Sequence, residues 1–178
     1  MLIDGAFAMP AAADPAASDL LGALVAFPHV VHIRSFGKFF GMAGLRLGFA
    51  IGAAVHMDQL QRCVGPWAVS SVALDIGNTA LNDTAWQAQH SQFLRQQTEQ
   101  LQMVLTRANL KILGGTTLFQ TIQTSRANHL HDHLAKAAIW TRKFSQMPDL
   151  LRFGVPANAA DFARLSESLN NWRHKANQ

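Results

Sequence analysis

Short runs in the strand period and longer runs with helical spacing follow one another along the whole chain, and that order constrains the fold more than any other feature. "MLIDGAF" is a short apolar run closing on an acid, "AMPAAADPAASD" reads as a Pro/Ala loop, and "SDLLGALVAF" reads as a helix capped by Ser18 or Asp19. "HVVHIRS" and "LRLGFAIG" read as strands. Helical spacing then holds from Val69 to Leu81 and again from Thr84 to Arg107, where a glutamine-rich face reads as solvated surface. Beyond it come a strand at "LFQTIQT", a helix over "NHLHDHLAKAA", strands at "IWTRKF" and "LLRFGV", and a closing helix from Ala159 to Arg173. This is α/β order with a change of register near residue 83. It predicts part of an α/β domain over residues 1–82, then a connecting helix and a small α+β domain over 83–178. The first strand starts two residues into the chain, with nothing before it to cap or cover it, so a fragment of a larger fold is expected.

Composition excludes several classes. With 178 residues, 49% of them apolar, the chain can bury a sizeable core. A net charge of +4 comes from lysines and arginines scattered singly, without the basic stripe that nucleic-acid binding requires, so no nucleic-acid partner is expected. One cysteine, Cys63, allows no internal disulfide and fits a reducing compartment. No apolar run reaches membrane-spanning length and the N-terminus lacks the layout of a signal peptide, so the cytoplasm is the expected address.

The chemistry gathers in "HIRSFGKFFGMAGLRLGFA", where Lys38 and, eight residues on, Arg46 sit among apolar residues and glycines. Charged side chains are rarely enclosed unless paired or used. Read as strand, glycine turn and second strand, the segment would turn both inward to a cleft, where an amine can form a Schiff base while a serine and an arginine meet a phosphate. The plain alternative is a lysine that snorkels to solvent and an arginine paired with a carboxylate.

"SFGKFFGMAGLRLGF" resembles the lysine segment of the class I/II pyridoxal-phosphate aminotransferases, the fold-type-I enzymes, and is nearest to their threonine-phosphate decarboxylase branch, with histidinol-phosphate aminotransferases a step away. "LIDGAFA", "GPWAVSSVAL", "GGTTLF" and "LLRFGVP" resemble further family segments in the right order. The resemblance implies that Lys38 carries pyridoxal 5'-phosphate as a Schiff base, that Ser35 and Arg46 bind its phosphate, and that Asp4 accepts the hydrogen bond of the pyridine nitrogen. Arg152 would pair with the substrate carboxylate, and Arg142 would offer a second anion site for a phosphorylated amino acid. A homodimer is implied for the full-length protein. Phe7 stands where most aminotransferases have a tyrosine that touches the cofactor, which shifts weight to the decarboxylase branch, and Gly5 replaces a usual glutamate. The resemblance spans the C-terminal half of a family member, whose phosphate loop, ring-stacking aromatic and O3′ asparagine belong to the other half. The isolated chain is therefore expected to bind cofactor poorly. Three readings stay open: decarboxylation of O-phosphothreonine, transamination of the histidinol-phosphate type, and a catalytically silent remnant.

"HLHDHL" sets His129 and His133 one helical turn apart with Asp132 between, a spacing that can seat zinc, but no further ligand has matching spacing. It reads as a solvated helix face, with no metal. The glycines of "GMAGLRLG" lack the order of a nucleotide-binding loop and read as sites of close packing.

Overall fold

The computed structural model describes residues 1–8 and 27–176, so the helix expected over "SDLLGALVAF", with its cap at Ser18 or Asp19, lies outside the described residues. The chain divides into two compact units, Met1–Ser91 and Gln92–Gln178, with the division inside one long helix.

In the first unit, β1 (Leu2–Asp4) pairs in parallel with β2 (Val31–Ser35), and β2 pairs antiparallel with β3 (Gly48–Gly52). The strand expected over "LRLGFAIG" is shorter than its apolar run. Ala43–Leu45 form a 3-10 turn that ends at Arg46 in the left-handed region, at φ 55°, and extended backbone resumes only at Gly48. Helix α1 (Ala54–Val64) was not legible: its N-cap, Ala53, offers no side-chain acceptor, and none of its residues is buried. Helix α2 (Ser71–Asn82) starts where Ser70 Oγ accepts from Ala73 N at 3.1 Å. Gly77 on α2 lies against the Leu47 side chain, which occupies the space a Cβ there would need. Helix α3 (Thr84–Arg107) begins after Asp83, whose Oδ1 accepts from Trp86 N at 2.9 Å. One glutamine of α3 departs from the solvated reading: Gln87 is 2% exposed, and its amide donates to the end carbonyls of α2, Ala80 O at 2.9 Å and Leu81 O at 3.0 Å. A neutral amide serves at this buried place because the last carbonyls of a helix have no intrahelical donor.

The second unit is a four-stranded antiparallel sheet in the order β4 (Lys111–Thr116), β5 (Phe119–Gln123), β7 (Leu150–Gly154), β6 (Arg142–Lys143). Alternation puts Gln120 and Ile122 of β5 on the same buried face as Leu151 and Phe153 of β7. That face packs against α4 (Ala127–Lys136) and α5 (Ala159–Ala176) through Leu130, Leu134, Phe162, Leu165 and Leu169, with Leu101 and Leu105 of α3 completing the core. The strand expected over "IWTRKF" shrinks to β6. Ala138 takes a positive φ of 56° and Trp140 is 80% exposed, so the chain is still turning out of α4 when it reaches Thr141.

Candidate active site

β1 and β2 run parallel, so their C-terminal ends lie at one edge of the sheet, the edge at which open α/β sheets bind ligands. Three chemically active side chains come from those ends: Asp4 closes β1, Ser35 closes β2, and Lys38 stands in the turn that follows. Asp4 is exposed, and its Oδ1 accepts from Ala6 N at 2.9 Å, which folds the chain back over itself. Ser35 Oγ likewise accepts from Gly37 N at 3.0 Å.

The turn around Lys38 is anchored by its phenylalanines. Phe36 and Phe39 are buried at 2% and 3% exposure, while Lys38 between them is exposed. Phe36 stacks on Phe40 with ring centres 4.4 Å apart, and Phe39 meets Trp86 edge-on at 5.8 Å. Backbone bonds close the loop at both ends, from Phe36 N to Leu47 O at 3.2 Å and from Met42 N to Phe36 O at 2.9 Å. Phenylalanines on either side of it thus fix the loop, while Lys38 itself stays exposed. Its ammonium stands 5.3 Å from the centre of the Phe7 ring. Arg46 is also exposed, and its Nη1 donates to Ala43 O at 3.2 Å. The inward burial expected for Lys38 and Arg46 is corrected: the phenylalanines take the buried places, and both cations are exposed.

A cavity of about 320 Å³ reaches this edge, bordered by Gly5, Ser35, Phe36, Phe40, Phe49 and Ile51. Sequence reasoning missed one buried polar group, which lies against Gly5. His32 is 7% exposed, on the same inward alternation as Val30, and its Nδ1 has no hydrogen-bond partner. Burial, first, and then the charge of Arg34 hold its pKa below 6.5, against a smaller upward pull from Asp4. The period of "HVVHIRS" carried the signal, since a histidine at an inward strand position is either partnered or used.

Arg142 and Arg152 lie together in the second unit, directly opposite each other on β6 and β7. Arg152 alternates with the core residues Leu151 and Phe153, so it sits on the sheet face away from the core, where its guanidinium covers the Phe119 ring at 4.8 Å. Like charges do not face each other across a ladder without cost, so the pair is suited to a shared anion.

The histidines of "HLHDHL" do different work from that of a solvated face. His131 is buried and hydrogen-bonded through Nδ1 to Thr141 Oγ1 at 2.8 Å, and His133 Nε2 donates to Ser168 O at 2.9 Å. Only His129 and Asp132 are exposed, and among the described residues no three His, Cys, Asp or Glu side chains gather as a metal site. No described helix is long and apolar enough to cross a membrane.

A strand-end carboxylate, a strand-end hydroxyl and a lysine held out by buried phenylalanines thus meet at one edge of the sheet. The chain belongs to the aminotransferase class I and II family, whose model matches residues 1–168. It is 38% identical over 151 residues to threonine-phosphate decarboxylase of Pseudomonas aeruginosa, covering 85% of this chain and 45% of that one. It is 36% identical over 119 residues to a histidinol-phosphate aminotransferase of Oleidesulfovibrio alaskensis, covering 67% and 31%. Its fold is similar to that of histidinol-phosphate aminotransferase from Sinorhizobium meliloti, solved in complex with pyridoxal 5'-phosphate, with a TM-score of 0.80 at 19% identity over 98% of this chain and 49% of the other. The chain spans less than half the length of the curated relatives it matches.

Proposed function

We propose that this chain supplies the lysine-bearing part of a pyridoxal-phosphate site that decarboxylates a phosphorylated amino acid of the O-phosphothreonine type. The observation that carries the reading is the common edge of β1 and β2, which presents Asp4, Ser35 and Lys38 in one place. The donor set suits the cofactor: a primary amine for its aldehyde, a hydroxyl and a guanidinium for its phosphate, and a carboxylate for its ring nitrogen. When bound, the cofactor supplies an electron sink for the pair released at the substrate Cα.

The chain's own residues divide the remaining work. Asp4, acceptor-only when ionised, holds a proton at the ring nitrogen. Ser35 and Arg46 bind the phosphate, the planar guanidinium being able to do so through two donors. Lys38 Nζ holds the cofactor at rest and, once displaced, is a base or acid able to move a proton at Cα. Arg142 and Arg152 bind the two anionic groups of the substrate. Which bond breaks at Cα depends on how those groups are oriented, so transamination is the second reading, favoured by the 36% identity to the histidinol-phosphate enzyme.

The test uses the complete product of the gene. Borohydride reduction with pyridoxal phosphate, followed by peptide mapping, labels Lys38. CO2 is then released from O-phosphothreonine without any 2-oxo acid. Label on another lysine overturns the site, and amino transfer to a 2-oxo acid without CO2 release overturns the decarboxylase reading in favour of transamination.

A further inference from the structure

We infer that His32 and Gly5 form one device that fixes the Asp4 carboxylate, with His32 acting as a positioning residue for it. The inference rests on the reading that Asp4 holds the ring nitrogen of the cofactor.

The geometry is local. Gly5 N donates to Ile33 O at 2.9 Å, which pins the turn after β1 to the neighbouring strand. On the next residue, Ala6 N binds the Asp4 carboxylate. Between these two ties the His32 imidazole lies against the open side of Gly5: a Cβ there would fall 2.7 Å from Nε2 and overlap Cε1. Any other residue at position 5 would push the ring away, or the turn off its pin, and with it the aim of Asp4. The absent side chain at position 5 and the histidine at position 32 therefore belong together.

An aliphatic side chain would fill this space without a polar atom to satisfy. The ring lies in register with Ile3 on β1 and Ile51 on β3, apolar on both sides. A buried nitrogen without a partner is costly, and such groups in native folds are placed for a reason. The charged groups that act on it are Asp4 from β1 and Arg34 on its own strand: burial first, and then Arg34, lower its pKa below 6.5 against a smaller upward pull from Asp4, which keeps it neutral near pH 7. A neutral ring leaves the Asp4 carboxylate its full charge for the cofactor nitrogen. A protonated ring would compete with that nitrogen for the carboxylate.

Two measurements test this. In the chain without cofactor, an NMR titration of the labelled imidazole places the His32 midpoint below 6.5, and Asp4→Asn lowers it further because the carboxylate's upward pull is removed. A midpoint that ignores Asp4→Asn overturns the coupling, whatever the cofactor does. In the complete gene product, pyridoxal-phosphate affinity is compared between wild type and His32→Leu as the pH is lowered through the His32 midpoint. The ratio of wild-type to variant affinity falls by about threefold, equivalent to half a pKa unit of coupling. A ratio that does not change with pH overturns the positioning role. Failure of borohydride to label Lys38 in the wild type would instead strike the parent reading, and the cofactor-free titration would still decide whether His32 and Asp4 are coupled.

Discussion

The ammonium of Lys38 stands 5.3 Å from the centre of the Phe7 ring, so the turn after β1 and the turn after β2 meet at one amine. An exposed cation over an aromatic face gains about 0.5–1 kcal/mol. The ring thus gives the lysine a preferred place. Phe7→Leu is expected to weaken pyridoxal-phosphate binding by about two- to fivefold. Phe7→Tyr, which keeps the aromatic face, should stay close to wild type. Absorbance titration of the three proteins checks both, and equal weakening by Leu and Tyr would show that the ring face is not what matters.

Arg46 carries its guanidinium on a strained backbone, at φ 55° and ψ 36°. An L-residue in this region gives up roughly 1 kcal/mol that glycine does not. Arg46→Ala and Arg46→Gly should therefore lose cofactor affinity alike, by roughly 1.5–3 kcal/mol or about ten- to a hundredfold, since both delete the guanidinium proposed to bind the phosphate. They should part in stability, with Gly about 1 kcal/mol more stable than Ala by urea unfolding. If the two variants differ in affinity, the backbone and not the guanidinium governs binding.

The legible parts of this molecule were those in which one period decides the outcome. Val69–Leu81 and Thr84–Arg107 repeat helical spacing for several turns, and Ser70 and Asp83 stand at their starts as side-chain acceptors. Alternation likewise revealed β2, β5 and β7. Helix α1 escaped because no cap and no buried stripe mark it, and "LRLGFAIG" was overread because nothing in it announces the left-handed turn at Arg46. At the candidate site, the motif placed Lys38, Ser35 and Asp4 in one region. It did not show that Phe36 and Phe39 take the buried positions, because helical, strand and loop phenylalanines look alike in sequence. His32 is not legible for a related reason: its meaning depends on the missing side chain of Gly5, in the turn after β1 and 27 residues away in sequence.

The depressed His32 pKa also fixes a sign for stability. Its folded-state value lies below the 6.5 of an ordinary histidine, so between the two values the unfolded chain binds more protons than the folded one. Stability contributed by this site is full above about pH 6.5, falls as pH drops through the window, and levels off below the folded value. His32→Leu should remove that component. Urea unfolding of wild type and variant across the acid range checks it: the stability difference should move in the variant's favour as the pH falls. A difference that does not vary with pH would mean that the imidazole can be protonated in place at no cost.

Arg142 and Arg152 face each other across β6 and β7; Arg152 covers Phe119, and Lys143, the residue after Arg142, reaches Asp132 at 3.9 Å. Directly opposed like charges on a sheet cost roughly 0.2–1 kcal/mol. The fold keeps both cations, and a double anion is the ligand that would turn their repulsion into attraction. Arg142→Gln should therefore stabilise the chain at low salt by up to about 1 kcal/mol, and the gain should shrink as salt screens the pair. O-phosphothreonine should reverse the order, because it stabilises only the protein that can bind both of its anions. Thermal unfolding at low and high salt, with and without the phosphoamino acid, separates these cases. If Arg142→Gln destabilises the chain at low salt, the pair is held together by something within the protein. If the phosphoamino acid stabilises wild type and variant equally, Arg142 is not an anion ligand.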